Sequence, residues 1–250
     1  KKKAIEPKKL KVNTNGIEKY FGWGSGVEAI VAQGNIIYIS IETSENFNTV
    51  GYVVAGKYSP ERNEIDVYYD TLEKVEPQTN ISNFSEEAIG IWNNNVFSIY
   101  ELNGKFLNEG AFAHVFPMDL KTQRQIKMPH IEYRITDITN VDSNGVFWGI
   151  NYMWPGDYKD IPVKEDSLEN KYGIGKSNSI SKVRERIVEF KISENEINFT
   201  ERPPIWLQLD ENVNSRNWEG IVKFDDNGFL MVTDKYPTTI LGYLKYKLID

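Results

Sequence analysis

Four hairpins that repeat one pattern constrain this chain more than any other feature. They are VEAIVAQGNIIYISIE (27–42), EEAIGIWNNNVFSIYE (86–101), TDITNVDSNGVFWGIN (136–151) and WEGIVKFDDNGFLMVTD (218–234). Each has an acid at its second position, then small or β-branched residues, a tight turn, a second apolar run and a closing polar side chain. The separation is 14 from Glu28 to Glu42, from Glu87 to Glu101 and from Asp137 to Asn151, and 15 from Glu219 to Asp234. The extra residue falls in Asp225-Asp226-Asn227-Gly228. Short apolar runs punctuated by Asn-Gly and Asn-Asn turns read as strands, and no window keeps a 3.6-residue apolar period. Helices should therefore be few and short.

A third strand candidate follows each hairpin: TVGYVVAGKYS, AFAHVFPMDL, RERIVEFKIS and TTILGYLKYK. The first three units add a fourth. Repetition of four-stranded units predicts an all-β fold, a β-propeller of four blades around a channel. Repeat starts are spaced 59, 50 and 82 residues apart, and the long third unit leaves room for a degenerate fifth blade. The competing architecture is a sandwich whose hairpins are alike by chance. The last unit runs out before its fourth strand, and LKVNTNGIEKYF (10–21) is expected to supply it, closing the ring by pairing the N- and C-terminal segments. Residues 1–11 read as a basic tail, and 12–250 as one propeller domain with a long loop at 152–180.

In a propeller the innermost strand of each blade lines the axis and the second runs back beside it. The start of the first and the end of the second therefore meet at one mouth of the channel. Glu28, Glu87, Asp137 and Glu219 would gather there with Glu42, Glu101, Asn151 and Asp234. So many carboxylates need compensating charge, because like charges at short range oppose ionisation and folding. One source is a divalent cation held by Glu28, Glu87, Asp137 and Glu219, with Ca²⁺ favoured because it accepts many oxygens in loose geometry. The other is basic side chains at the mouth, for which Arg134, Arg216 and Lys235 are placed. A structural role competes with both: the acids could hold blades in register by accepting backbone N–H bonds.

The segment 152–180 follows Asn151 directly and should emerge at this mouth, where a long connection suits a lid or binding loop. Tyr152, Trp154 and Tyr158 suggest that its first part is ordered, and VKEDSLENK (163–171) reads as mobile. With Trp23, Trp154, Trp218 and Tyr236, the mouth combines aromatic surface, carboxylates and a few cations. That mixture suits a small polar ligand, a sugar or a metal-bridged phosphate ester. Trp92 and Trp148 lie within apolar runs and read as core.

The net charge of -7 and pI near 5.1 exclude nucleic acid as the main partner, since phosphate backbones demand clustered Lys and Arg. The chain has no cysteine, so no disulfide or thiolate metal site can form. No apolar run is long enough to span a membrane as a helix. His114 and His130 stand outside any metal-ligand pair and read as structural. WGSG at 23–26 lacks the strand-to-helix setting of a nucleophile elbow, and GKS at 175–177 lacks a Gly-rich phosphate loop.

TDITNVDSNGVFWGINYMWPGD and RNWEGIVKFDDNGFLMVTDKYP, with SEEAIGIWNNNVFSIYE, resemble the propeller proteins grouped as esterase-like phytases and their uncharacterised bacterial relatives. The likeness covers most of 27–244 and rests on acid-Gly-Ile starts such as Glu219-Gly220-Ile221 and closing acids such as Asp234. It implies a bacterial protein exported to the periplasm or cell exterior, with a lipid anchor upstream of residue 1, Ca²⁺ at the channel and phosphoester hydrolysis. A first residue of Lys rather than Met agrees with a processed product. The chain departs from that family's needs in one respect: only Arg134, Arg216, Lys235 and Lys105 could line a phosphate site, and carboxylates outnumber them. Hydrolysis of a phosphate ester would leave charge neutralisation and water activation to metal. The alternative is a non-catalytic propeller that contacts a glycan or a protein.

Overall fold

The computed structural model describes residues 8–22, 25–234 and 238–246. Its strands form four sheets, each a blade. The first contains β1 (Lys11–Asn13), β2 (Gly26–Gln33), β3 (Ile36–Glu45), β4 (Asn48–Ser59), β5 (Glu64–Val67) and β6 (Glu73–Val75), in the order β1-β5-β4-β3-β2 with β6 also on β4. The second contains β7 (Glu86–Trp92), β8 (Asn95–Tyr100), β9 (Phe112–Pro117) and β10 (Arg124–Lys127). The third contains β11 (Arg134–Ile138), β12 (Val146–Met153), β13 (Arg184–Ile192), β14 (Ile197–Phe199) and β15 (Ile205–Trp206), the last two both on β13. The fourth contains β16 (Trp218–Phe224), β17 (Gly228–Thr233) and β18 (Leu241–Lys245).

Every repeated hairpin forms the two inner strands of one blade, so the chain is a four-bladed propeller. The turns follow from the sequence. Asn93 and Asn94 take φ of 51° and 57°, as a two-residue hairpin turn requires, and Gly34 and Gly145 take 62° and 80°. Inner strands pack blade against blade, β2 on β7, β7 on β11 and β11 on β16, and apolar clusters fill the spaces between sheets. Trp148 is buried between Phe229 and Tyr246, as expected of a core residue, and Trp92 packs against the cluster between blades two and three.

The ring is not joined as the sequence reading expected. Strand β1 pairs in parallel with β5 of the first blade, Lys11 opposite Glu64 and Asn13 opposite Asp66, and not with β18. Side chains explain the choice: Lys11 Nζ meets Glu64 at 2.9 Å, Asn13 Nδ2 donates to Asp66 at 3.1 Å and Asn15 Nδ2 donates to the Val67 carbonyl at 2.7 Å. Ile17 is then buried against Ile39, Val54 and Ile65, covering the apolar face of the first blade. Leu10 joins the same cluster, and residues 1–7 of the expected basic tail lie outside the described residues. Among the described residues, nothing pairs with β18 beyond β17, and β16 does not pack on β2 as the other neighbouring inner strands do.

The long third unit holds no fifth blade. Its connection from Trp154 to Val183 carries a 3-10 turn over Pro155–Lys159, a helix α1 (Ser167–Tyr172) and a second 3-10 turn over Asn178–Ile180. Tyr152 and Met153 belong to β12. The stretch 163–171, expected to be mobile, is anchored: Asp166 caps α1 by accepting from Glu169 N at 2.7 Å and grips the fully buried Arg186 at 2.5 and 3.1 Å.

Candidate functional site: an acid pocket around Arg134

One irregularity repeats in all four blades and builds the site. The pairing of the two inner strands skips a residue at the mouth, at Glu28 in blade one, Glu87 in blade two, Thr136 in blade three and Glu219 in blade four. A bulge bends the strand and re-aims the extra side chain. In three blades that residue is the acid itself. In blade three the bulge falls one position earlier, and Arg134, the first residue of β11, takes the corresponding place at the axis.

The result is a pocket of about 350 Å³ lined by Val27, Glu28, Glu87, Arg134, Glu219 and Asp234. Arg134 is its electrostatic centre. The Nε donates to the fully buried Glu101, and the two terminal nitrogens lie 3.5 Å from Asp157 and 4.0 Å from Glu219. The guanidinium stacks over Tyr152 at 5.6 Å and Phe84 at 6.0 Å. Burial alone would lower its pKa, but Glu101, Glu87 and Glu219 more than offset this and hold it above the usual value.

The carboxyls differ in protonation. Burial, then Glu42 and Glu219, push Glu28 up to about 7. Glu87 is raised well above its ordinary value by burial and then by Glu101. Burial raises Glu219 too, with Arg134 pulling the other way and Asp234 adding to the rise. Burial raises Glu101 and Glu42 as well, and for both Arg134 pulls the other way. Asp234 stands exposed at the rim, tied by its backbone N–H to the Asn217 carbonyl at 2.9 Å.

Several sequence-derived candidates lie elsewhere. Asp137 does not face the pocket: its Oδ2 accepts the Ile221 backbone N–H at 2.7 Å, because the shifted bulge turns it toward the neighbouring blade. Burial pushes it up to about 7. Asn151 is fully buried, donating to the Glu132 and Arg134 carbonyls at 3.0 Å and accepting from Arg186 at 2.7 Å. Arg216 and Trp218 are both committed to the buried Glu185, Arg216 at 2.6 and 3.0 Å and the Trp218 indole at 2.9 Å. Trp218 is 5% exposed, a core residue. Trp154 is 51% exposed but outside the pocket lining, and Lys235, Tyr236 and Trp23 lie outside the described residues. Two residues were missed. Asp157 reaches Arg134 from the loop after β12, and Glu185 removes Arg216 from the mouth.

Of the four acids expected to hold a divalent cation, Glu28, Glu87 and Glu219 share the pocket with the Arg134 guanidinium, and Asp137 is spent on a backbone N–H. The histidines are structural: His114 is buried 3.4 Å from Glu86, and His130 contacts the Asn108 and Glu109 carbonyls at 3.1 Å. Among the described residues, no helix is long and apolar enough to cross a membrane.

No protein-family model and no curated protein matches the chain. Solved structures do. A Parabacteroides distasonis protein assigned to the glycoside hydrolases superposes with a TM-score of 0.50 at 10% identity, covering 94% of this chain and 71% of its own. The fold is that of a β-propeller. A glycosyl hydrolase from Bacteroides ovatus gives 0.48 at 10% identity, with 94% and 68% covered. A Cellvibrio cellulosa α-L-arabinanase complexed with arabinohexaose gives 0.39 at 12% identity, with 86% and 71% covered. At these identities the likeness describes the backbone of the propeller and not its chemistry.

Proposed function

We propose that the acid pocket binds one sugar unit of a neutral saccharide and hydrolyses its glycosidic bond by acid-base catalysis. The observation that carries this reading is the pairing, in one pocket, of a carboxyl that titrates near neutrality, Glu28, with a second carboxyl, Glu219, whose oxygen lies 4.0 Å from a guanidinium. Glycoside hydrolysis needs such a pair, one acid to protonate the leaving oxygen and one carboxylate to attack the sugar carbon or activate water. Glu28 is the proton donor in this scheme. Glu219 is the base or nucleophile, with Glu87 beside it in the pocket lining and Arg134 holding it in place. Glu101 and Asp157 position Arg134 from behind.

A phosphate ester is the poorer occupant. Its charge would meet Glu28, Glu87, Glu219 and Asp234 against one guanidinium that is already paired. A neutral sugar meets the same groups as hydrogen-bond partners. The phosphoesterase activity implied by the phytase resemblance is therefore not part of this proposal. A periplasmic or extracellular location suits a glycan-directed protein and is checked by cell fractionation.

The test is a panel of aryl glycosides and oligosaccharides assayed with wild type, Glu28→Gln and Glu219→Gln. Loss of kcat by about a hundredfold or more in both variants is the expected result for the loss of a general acid or base. Calorimetric binding of a saccharide without turnover would favour the non-catalytic binder instead. Turnover unaffected by both substitutions would overturn the assignment of roles.

A further inference from the structure

A second cleft opens on the first blade. It has a volume of about 470 Å³ and lies between the β3–β4 hairpin tip and the connection that leads into β7. Both walls run in the chain toward acids of the channel mouth: Glu45 is three residues beyond Glu42, and Ser82 is five before Glu87. Thr79 in the far wall hydrogen-bonds at 2.9 Å to the hydroxyl of Tyr100, the neighbour of Glu101.

The hairpin tip is unusual. Glu45 pairs with Asn48, so the turn consists of Asn46 and Phe47, both left-handed at φ of 51° and 68°. Such a turn favours Asn-Gly, and an L-residue with a bulky side chain at the second position carries a steric cost that glycine would remove. Phe47 is nonetheless there, with its side chain 100% exposed. An aromatic ring kept in water on a strained backbone gains nothing from the fold, and strain of this sort concentrates where a ligand is held. The rest of the cleft is polar and nearly charge-balanced. Lys74 bridges Glu45 at 2.9 Å and Glu76 at 3.0 Å, and Asn48, Thr79, Asn80 and Ser82 bring amides and hydroxyls.

We propose that this cleft is a second saccharide subsite, in which Phe47 stacks on the apolar C–H face of a sugar ring while the polar wall hydrogen-bonds its hydroxyls. The class of ligand is then an oligosaccharide long enough to span both sites. This rests on the reading of the acid pocket as a sugar site. An aromatic face over a ring, with a few convergent polar groups, is how neutral ligands gain both area and orientation.

The experiment is calorimetric titration of cello-, manno- and xylo-oligosaccharides of two to six units into wild type, Phe47→Gly and Glu219→Gln. Wild type should bind at least one series with affinity that rises with length. Phe47→Gly should abolish the rise, weakening the longest ligand about tenfold, the order of one lost aromatic contact. Its Tm should match or exceed that of wild type because the turn is relieved, which separates lost binding from lost folding. Length-independent affinity, equal binding by Phe47→Gly, or no binding to wild type would overturn the subsite. Loss of binding in Phe47→Gly with none in Glu219→Gln would leave the cleft standing and sink the acid pocket.

Discussion

Asp137 of blade three accepts the backbone N–H of Ile221 of blade four at 2.7 Å. Beside it, the Thr136 hydroxyl donates to the Trp218 carbonyl at 2.6 Å. Two consecutive side chains of β11 thus satisfy backbone groups of β16 where both strands bulge. An acid that looked like a pocket ligand instead joins two blades. Asp137→Ala leaves a buried N–H unpaired and should cost about 1–3 kcal/mol in urea unfolding. Asp137→Asn keeps an acceptor oxygen and should cost less, and equal losses in the two variants would refute the bond's role.

Stability should fall as pH rises through neutrality. Glu28 and Asp137 are both raised to about 7 in the folded protein, chiefly by burial. A carboxyl with a raised folded pKa favours the folded state fully below its unfolded pKa, and that contribution is lost as pH passes the folded value. The Tm should therefore be higher at pH 5.5 than at pH 8.5. Glu28→Gln should shrink the difference, and a Tm that rises with pH would contradict the assignment.

Arg134→Met should be among the most damaging single substitutions. It removes the countercharge of Glu101, which is fully buried, and of Glu219. Breaking a buried pair by deleting one partner costs about 3–5 kcal/mol, more than the pair itself contributes. Adding Glu101→Gln should restore part of the loss in chemical denaturation, which a purely steric role for Arg134 would not allow.

Chelation should leave the fold unchanged. Since Asp137 is spent on a backbone N–H and Arg134 already sits among the remaining acids, the Tm should be the same in EDTA and in added Ca²⁺. A calcium-dependent rise in Tm would show that an ion shares the pocket.

The connection after β12 should behave as a rigid brace. Asp166 both caps α1 and meets Arg186 at 2.5 Å, with neither side chain open to solvent. Asp166→Ala should expose residues 160–180 to limited proteolysis and cost about 3–5 kcal/mol. Unchanged protection would place the anchor elsewhere.

The repeated hairpins announced the blades, since four similar units of two apolar runs around a tight turn can bury both faces by stacking against one another. Their opening glutamates could be assigned to one rim, because strand direction puts residues 28, 87 and 219 at the same end. Register was beyond reach. A one-residue difference in where the bulge falls sends Glu87 into the pocket and Asp137 into the next blade, and no spacing records it. Long-range partners were equally hidden: Glu185 claims Arg216 and Trp218 from more than thirty positions away, and Asp157 reaches Arg134 only after the chain has turned. Local pattern fixes which face of a strand is apolar, because side chains alternate whatever the fold. Which charge meets which is settled by packing, which sets the distances between residues far apart in the chain.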